Sequence, residues 1–138
     1  MKYLVIALRA VLGLTFLVFG LNQQFEFFKP PVEPSTQAQA FWTAMVATGY
    51  FMPLLSWTKV ACGALLVLGR FVPLALTVLA PIIVQILLYH LYLDPQGMEV
   101  ALVVLGLELI LVALYWSSFK TVLRASAPYA GSTTPLPR

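Results

Sequence analysis

Arg9, Lys59 and Glu108 each fall inside an apolar run long enough to cross a bilayer. A charge at the bilayer centre costs about 2.5–3.5 kcal/mol on insertion scales, so it faces the protein interior, pairs, or reaches toward the headgroups. Two chemistries fit a carboxylate and two cations at that depth. One is a structural ion pair, with Arg9 snorkelling to its own interface. The other is a polar site that polarises a ligand headgroup, such as a quinone carbonyl. Two cations face one carboxylate, so one cation lacks a partner within the chain. Water, a lipid phosphate, another subunit's carboxylate or a ligand carbonyl would complete the set. Gln85 adds an amide to this candidate intramembrane cluster.

A second constellation stands at the end of the third apolar run. His90 and Asp94 are four residues apart, one helical turn, so Asp94 could hold the His90 ring near the outer surface. The alternative is that His90 ligates a metal, haem or chlorophyll. It is the one histidine of the chain, so a b-type haem would need a second axial ligand from elsewhere. No metal site is expected from the chain's own residues, and no intrinsic cofactor beyond a quinone or a bound lipid. Cys62 is the single cysteine, which excludes an internal disulfide and a C-x-x-C redox pair. Nucleophile-elbow, P-loop, dinucleotide and H-E-x-x-H patterns are absent. No catalytic residue can be named, and an enzyme acting alone is disfavoured.

The elements that must position these residues follow from composition. The chain has 138 residues, 61% hydrophobic and 9% charged, against roughly 25% charge in a soluble domain. Apolar runs at about 3–21, 53–69, 71–93 and 98–119 approach the roughly 20 residues a spanning helix needs. Met1 onward is read as the first span rather than a cleaved leader, because Arg9 interrupts the run and no small-residue cleavage site follows. Gly69-Arg70 and Asp94-Pro95-Gln96-Gly97 are tight connections that force antiparallel neighbours. The expected fold is therefore all-α: a polytopic membrane protein, one domain over 1–124, built as an antiparallel four-helix bundle. The net charge of +3 reflects cations at span ends and gives no nucleic-acid signal.

The first loop predicts one more element. Thr36 and Gln39 form a T-x-x-Q capping box. Ala38, Phe41, Trp42, Met45 and Val46 then recur at helical spacing. Gly49 can end such a helix. At about 37–48 it is too short to span and reads as an interfacial amphipathic helix on the external side, with Trp42 at headgroup depth. The alternative is a long, kinked second span beginning at Gln37. Residues 125–138 are rich in Pro, Ser and Thr and are expected to form a mobile cytoplasmic tail.

Helical spacing also assigns faces. Arg9, Gly13, Phe16 and Gly20 share one; Ser56, Lys59, Cys62 and Gly63 share another; Glu108 lies with Ala101, Val104 and Tyr115. Small residues allow close backbone approach in membranes, so the charged faces are expected to be the packing faces. Gln85, Tyr89 and Tyr92 share a face of the third span. Lys2, Arg70, Lys120 and Arg124 would lie on one side of the membrane, against Lys29 alone on the other. Positive-inside bias then puts both termini in the cytoplasm.

The order of several stretches resembles the DoxX family of small bacterial membrane proteins. They are Phe19-Gly20-Leu21-Asn22, Ala47-Thr48-Gly49-Tyr50-Phe51-Met52-Pro53, Lys59-Val60-Ala61-Cys62-Gly63, Leu66 to Ala75 and Ala80 to Pro95. The likeness runs from about Arg9 to Arg124. It implies a four-helix bundle in the bacterial inner membrane and an association with redox complexes. A carboxylate common in the family near Ala61-Cys62-Gly63 is absent here, and Asn is common where Gln85 stands. The resemblance therefore implies no catalytic residue. The expected role is an accessory or structural subunit of a larger redox or bioenergetic complex, among lipids and other membrane subunits. A quinone-binding oxidoreductase component is the first alternative, and a small transporter or proton path the second.

Overall fold

The computed structural model describes residues 1–29, 31–125 and 130–131. The described residues are helical, without strands. Six helices follow in order: α1 (Lys2–Phe25), α2 (Thr36–Ala47), α3 (Phe51–Leu68), α4 (Val72–Tyr92), α5 (Met98–Leu114) and α6 (Trp116–Val122). Helices α1, α3 and α4 are each long and apolar enough to cross a membrane; α5 and α6 together make a fourth candidate, bent by 80°. The mobile tail expected over 125–138 falls mostly outside the described residues.

The closest packing is between α1 and α3, and glycine makes it possible. A Cβ at Gly63 would stand 2.6 Å from the Gly13 carbonyl oxygen and 2.7 Å from the Leu17 nitrogen. A Cβ at Gly20 would stand 3.0 Å from the Ser56 carbonyl oxygen. With hydrogen in those places the backbones meet directly, and the Ser56 hydroxyl donates to the Gly20 carbonyl across the gap at 2.6 Å. Helix α4 packs on α3 and α5, and α5 also touches α1. Leu12, Leu66, Leu76, Leu79, Ile83 and Leu111 fill the shared core.

The remaining surface suits a lipid solvent. Leu4, Val11, Leu54, Leu74, Leu102 and Leu109 are among the large apolar side chains left exposed on the spanning helices. Hydroxyls on those helices are satisfied locally: Thr15, Thr58 and Thr77 donate to the carbonyls of Val11, Leu54 and Pro73, four residues back. Hydrocarbon offers no partner, so a hydroxyl there must bond within its own helix.

Three expectations need correction. The fourth span was expected to continue to about 119, but α5 stops at Leu114 and α6 leaves at the 80° bend. The first span does not stop near Leu21 but runs four residues further, to Phe25. The cap of α2 is Ser35, not Thr36. The Ser35 hydroxyl accepts from the Ala38 amide at 3.2 Å and donates to the Leu93 carbonyl at 2.6 Å. That second bond ties the start of α2 to the end of α4. Gln39 turns back to the Pro34 carbonyl instead. Helix α2 is separate from α3, as its periodicity predicts: Thr48, Gly49 and Tyr50 divide them, with Gly49 at a φ of 75°.

Candidate functional site

The predicted interior faces are the buried ones. Helix α1 buries Leu12, Gly13, Phe16 and Gly20; α3 buries Ser56, Lys59, Cys62, Gly63 and Leu66; α5 buries Ala101, Val104, Glu108 and Leu111. Lys59 is 8% exposed and Glu108 3%. Yet the three charges do not form one hydrogen-bonded cluster.

Lys59 is held by a neutral neighbour. Its ammonium donates to Gln23 Oε1 at 2.8 Å. The Gln23 amide nitrogen in turn sits 3.5 Å from the Met52 carbonyl and 3.6 Å from its sulfur. Gln23 could be present here only because α1 runs past Leu21. The sequence carried a signal for it: Gly13, Phe16 and Gly20 continue at the next helical step to Gln23.

Arg9 is held at the opposite end of the same helix pair. Its Nη1 donates to the Tyr115 hydroxyl at 3.3 Å. The guanidinium lies against Gly69, where a Cβ would come within 2.6–2.8 Å of its nitrogens and central carbon. Gly69 is the C-cap of α3, so the cation sits at the partially negative end of a helix. Its Nε is buried and has no hydrogen-bond partner among the described residues.

Glu108 is the group left over. Both carboxylate oxygens are buried and accept no hydrogen bond from the described residues. Cys62 on α3 is a free and buried thiol. The expected imbalance is thus reversed. Each cation has found a neutral partner, and the carboxylate has none.

Gln85 does not join these residues. It is exposed on α4 and hydrogen-bonds to no described residue. At the end of α4, His90 Nδ1 meets the Asp94 backbone carbonyl oxygen at 2.9 Å. The pair therefore forms through the main chain, not through the carboxylate as expected. Asp94 Oδ1 instead accepts from the Gln96 amide at 3.2 Å, closing the turn. A carbonyl can only accept, so Nδ1 is the donor in this contact. Tyr89 links this end to α2: Trp42 Nε1 donates to its hydroxyl at 2.9 Å, and Phe41 and His90 pack against its ring.

Among the described residues, no three His, Cys, Asp or Glu side chains stand close enough to hold a metal ion. An open cleft of about 480 Å³ is lined by Lys29, Glu33, Pro34 and Gln39, none of them a candidate site residue. Chemically, the arrangement offers neutral-to-cation hydrogen bonds and a sealed carboxyl group, with no nucleophile paired to a base among the described residues. Comparison with protein-family models, curated proteins and solved structures finds no match for this chain.

Proposed function

We propose that the chain is a DoxX-like protein of the bacterial inner membrane, four antiparallel spans with both termini in the cytoplasm. We further propose that it is an accessory or structural subunit of a larger redox or bioenergetic complex. The observation that carries this reading is the sealed interior. Leu12, Leu66, Leu76, Leu79 and Leu111 are fully buried, and Arg9 and Lys59 are each tied to a neutral side chain of the chain itself. A core packed in this way supports the architecture rather than admitting a substrate. The antiparallel arrangement is supported by the register of α1 on α3, in which Arg9 meets Gly69, Gly13 meets Gly63 and Gly20 meets Ser56.

Purification from native membranes in a mild detergent, with mass spectrometry of every co-purifying chain, tests the role. A stoichiometric second polypeptide is the expected result. Recovery of this chain alone would overturn it.

A quinone-binding component is the second reading, and Glu108 favours it. A buried carboxyl group with both oxygens free could take a hydrogen bond from a quinol hydroxyl or, when protonated, give one to a quinone carbonyl. Loss of quinone binding in the Lys59→Met, Glu108→Gln double variant is its expected signature. Unchanged binding removes it.

A further inference from the structure

Gln85 is a polar side chain in the wrong solvent. It lies 13 residues from the start of α4 and seven from its end, hence about 20 Å and 10 Å along the helix axis. That is hydrocarbon depth, and the side chain is exposed. Lipid can neither donate to its carbonyl nor accept from its amide. Unlike Thr15, Thr58 and Thr77, it makes no bond back to its own helix.

A second unmet group lies on the same face. Pro81 is inside α4 and brings no N–H, so the Thr77 carbonyl four residues earlier loses its helical partner. Thr77, Pro81 and Gln85 are all exposed, one turn apart.

The residues around them have a particular spacing. Leu74, Val78, Pro81, Gln85, Leu88 and Tyr92 are all exposed and separated by steps of four, three, four, three and four. Thr77, Ala80, Val84 and Leu91 are exposed beside this line, so it is one stripe of a wider exposed face. Its steps fit the 3.5-residue repeat of a seam between two helices, with Gln85 near its middle, a position where polar side chains fix register. The seam carries no charge. A carboxamide has both donor and acceptor, so it is complementary to itself. Two copies inserted in the same sense and related by an axis along the membrane normal bring equal depths together. Gln85 then meets Gln85 of the second copy, one turn from Pro81, which leaves the Thr77 carbonyl without its N–H partner.

We infer that the α4 face centred on Gln85 is the contact surface for a second copy of this chain. The inference is independent of the accessory role: a dimer purified without other polypeptides would leave it standing and remove that role.

Disulfide trapping of the full-length chain in native membranes tests it, using the Cys62→Ala background. Gln85→Cys, Pro81→Cys and Leu88→Cys, each made singly, should give covalent dimers of this chain on mild oxidation. Leu109→Cys and Val103→Cys, exposed on α5, should give several-fold less. Gln85→Leu should weaken association about three- to tenfold, the scale of one interhelical hydrogen bond in a bilayer, and Gln85→Asn should retain more of it. Equal trapping on α4 and α5 would overturn the proposal. So would trapping of a different polypeptide at position 85, or no dimer at any seam position.

Discussion

The Lys59 ammonium rests on Gln23, 2.8 Å from its Oε1, and not on the carboxylate of Glu108. A cation deep in α3 is therefore satisfied by an amide at the far end of α1. The two helices are locked at the end where the Gly13–Gly63 contact no longer holds them.

This contact should be measurable as a coupling. Lys59→Met and Gln23→Leu are each expected to destabilise the protein in detergent, and the double variant to cost less than their sum. The coupling expected from a double-mutant cycle is about 0.5–2 kcal/mol, the range for residues in direct contact and for polar pairs in membranes. A coupling indistinguishable from zero in thermal unfolding would show that Lys59 does not depend on Gln23.

Glycine substitution should separate close contact from conformational freedom. Gly63→Ala forces a methyl group against the Gly13 carbonyl and the Leu17 nitrogen, and overpacking of this kind costs about 1–3 kcal/mol. At Gly106 a Cβ would meet nothing within 4 Å. Gly106→Ala should then gain about 0.5–1 kcal/mol from helix propensity alone. Unfolding of both variants, side by side in one detergent, checks the opposite signs.

Glu108 gives a third outcome. Its two oxygens accept nothing from the described residues, so its burial opposes folding rather than favouring it. Glu108→Leu removes both unmet acceptors at similar volume and should stabilise the protein by about 1–3 kcal/mol. Glu108→Gln keeps a polar end and should gain less. A Glu108→Leu variant with a lower unfolding temperature would mean that the carboxyl group has a bound partner in the membrane.

Membrane orientation is open to a direct readout. Reporters fused after the last residue are expected to be active only in the cytoplasm, and those inserted between Phe28 and Glu33 only outside. The reverse pattern would invert the four-span arrangement proposed above.

Much of the site's framework was legible in the sequence because helical period alone decides which residues share a face. Gly13, Phe16 and Gly20 on α1, and Ser56, Cys62 and Gly63 on α3, were readable as packing residues before any coordinate. The hydrogen-bond partners were less legible. Lys and Arg have long, flexible side chains, so the depth of the Cα does not select among several acceptors. Gln23 was hidden by a misplaced helix end, since the amides of Asn22, Gln23 and Gln24 resemble a loop. The break at Tyr115 has no proline or glycine to announce it. The exposure of Gln85 was hidden for another reason: α4 carries apolar residues on every side, so its pattern could not say which face turns inward.

The break at Tyr115 has a consequence for the surrounding bilayer. The apolar part of α1 runs from Tyr3 to Leu21 and α5 has 17 residues, about 28 Å against 25 Å at 1.5 Å per residue. In the four-span arrangement proposed above, a hydrocarbon layer near 30 Å nearly matches the first and is longer than the second. The α5 flank would then draw the membrane thinner than the α1 flank, at fractions of a kcal/mol for each ångström of mismatch. The molecule would thus impose a thickness gradient on the lipids around it, and settle where the bilayer already has one.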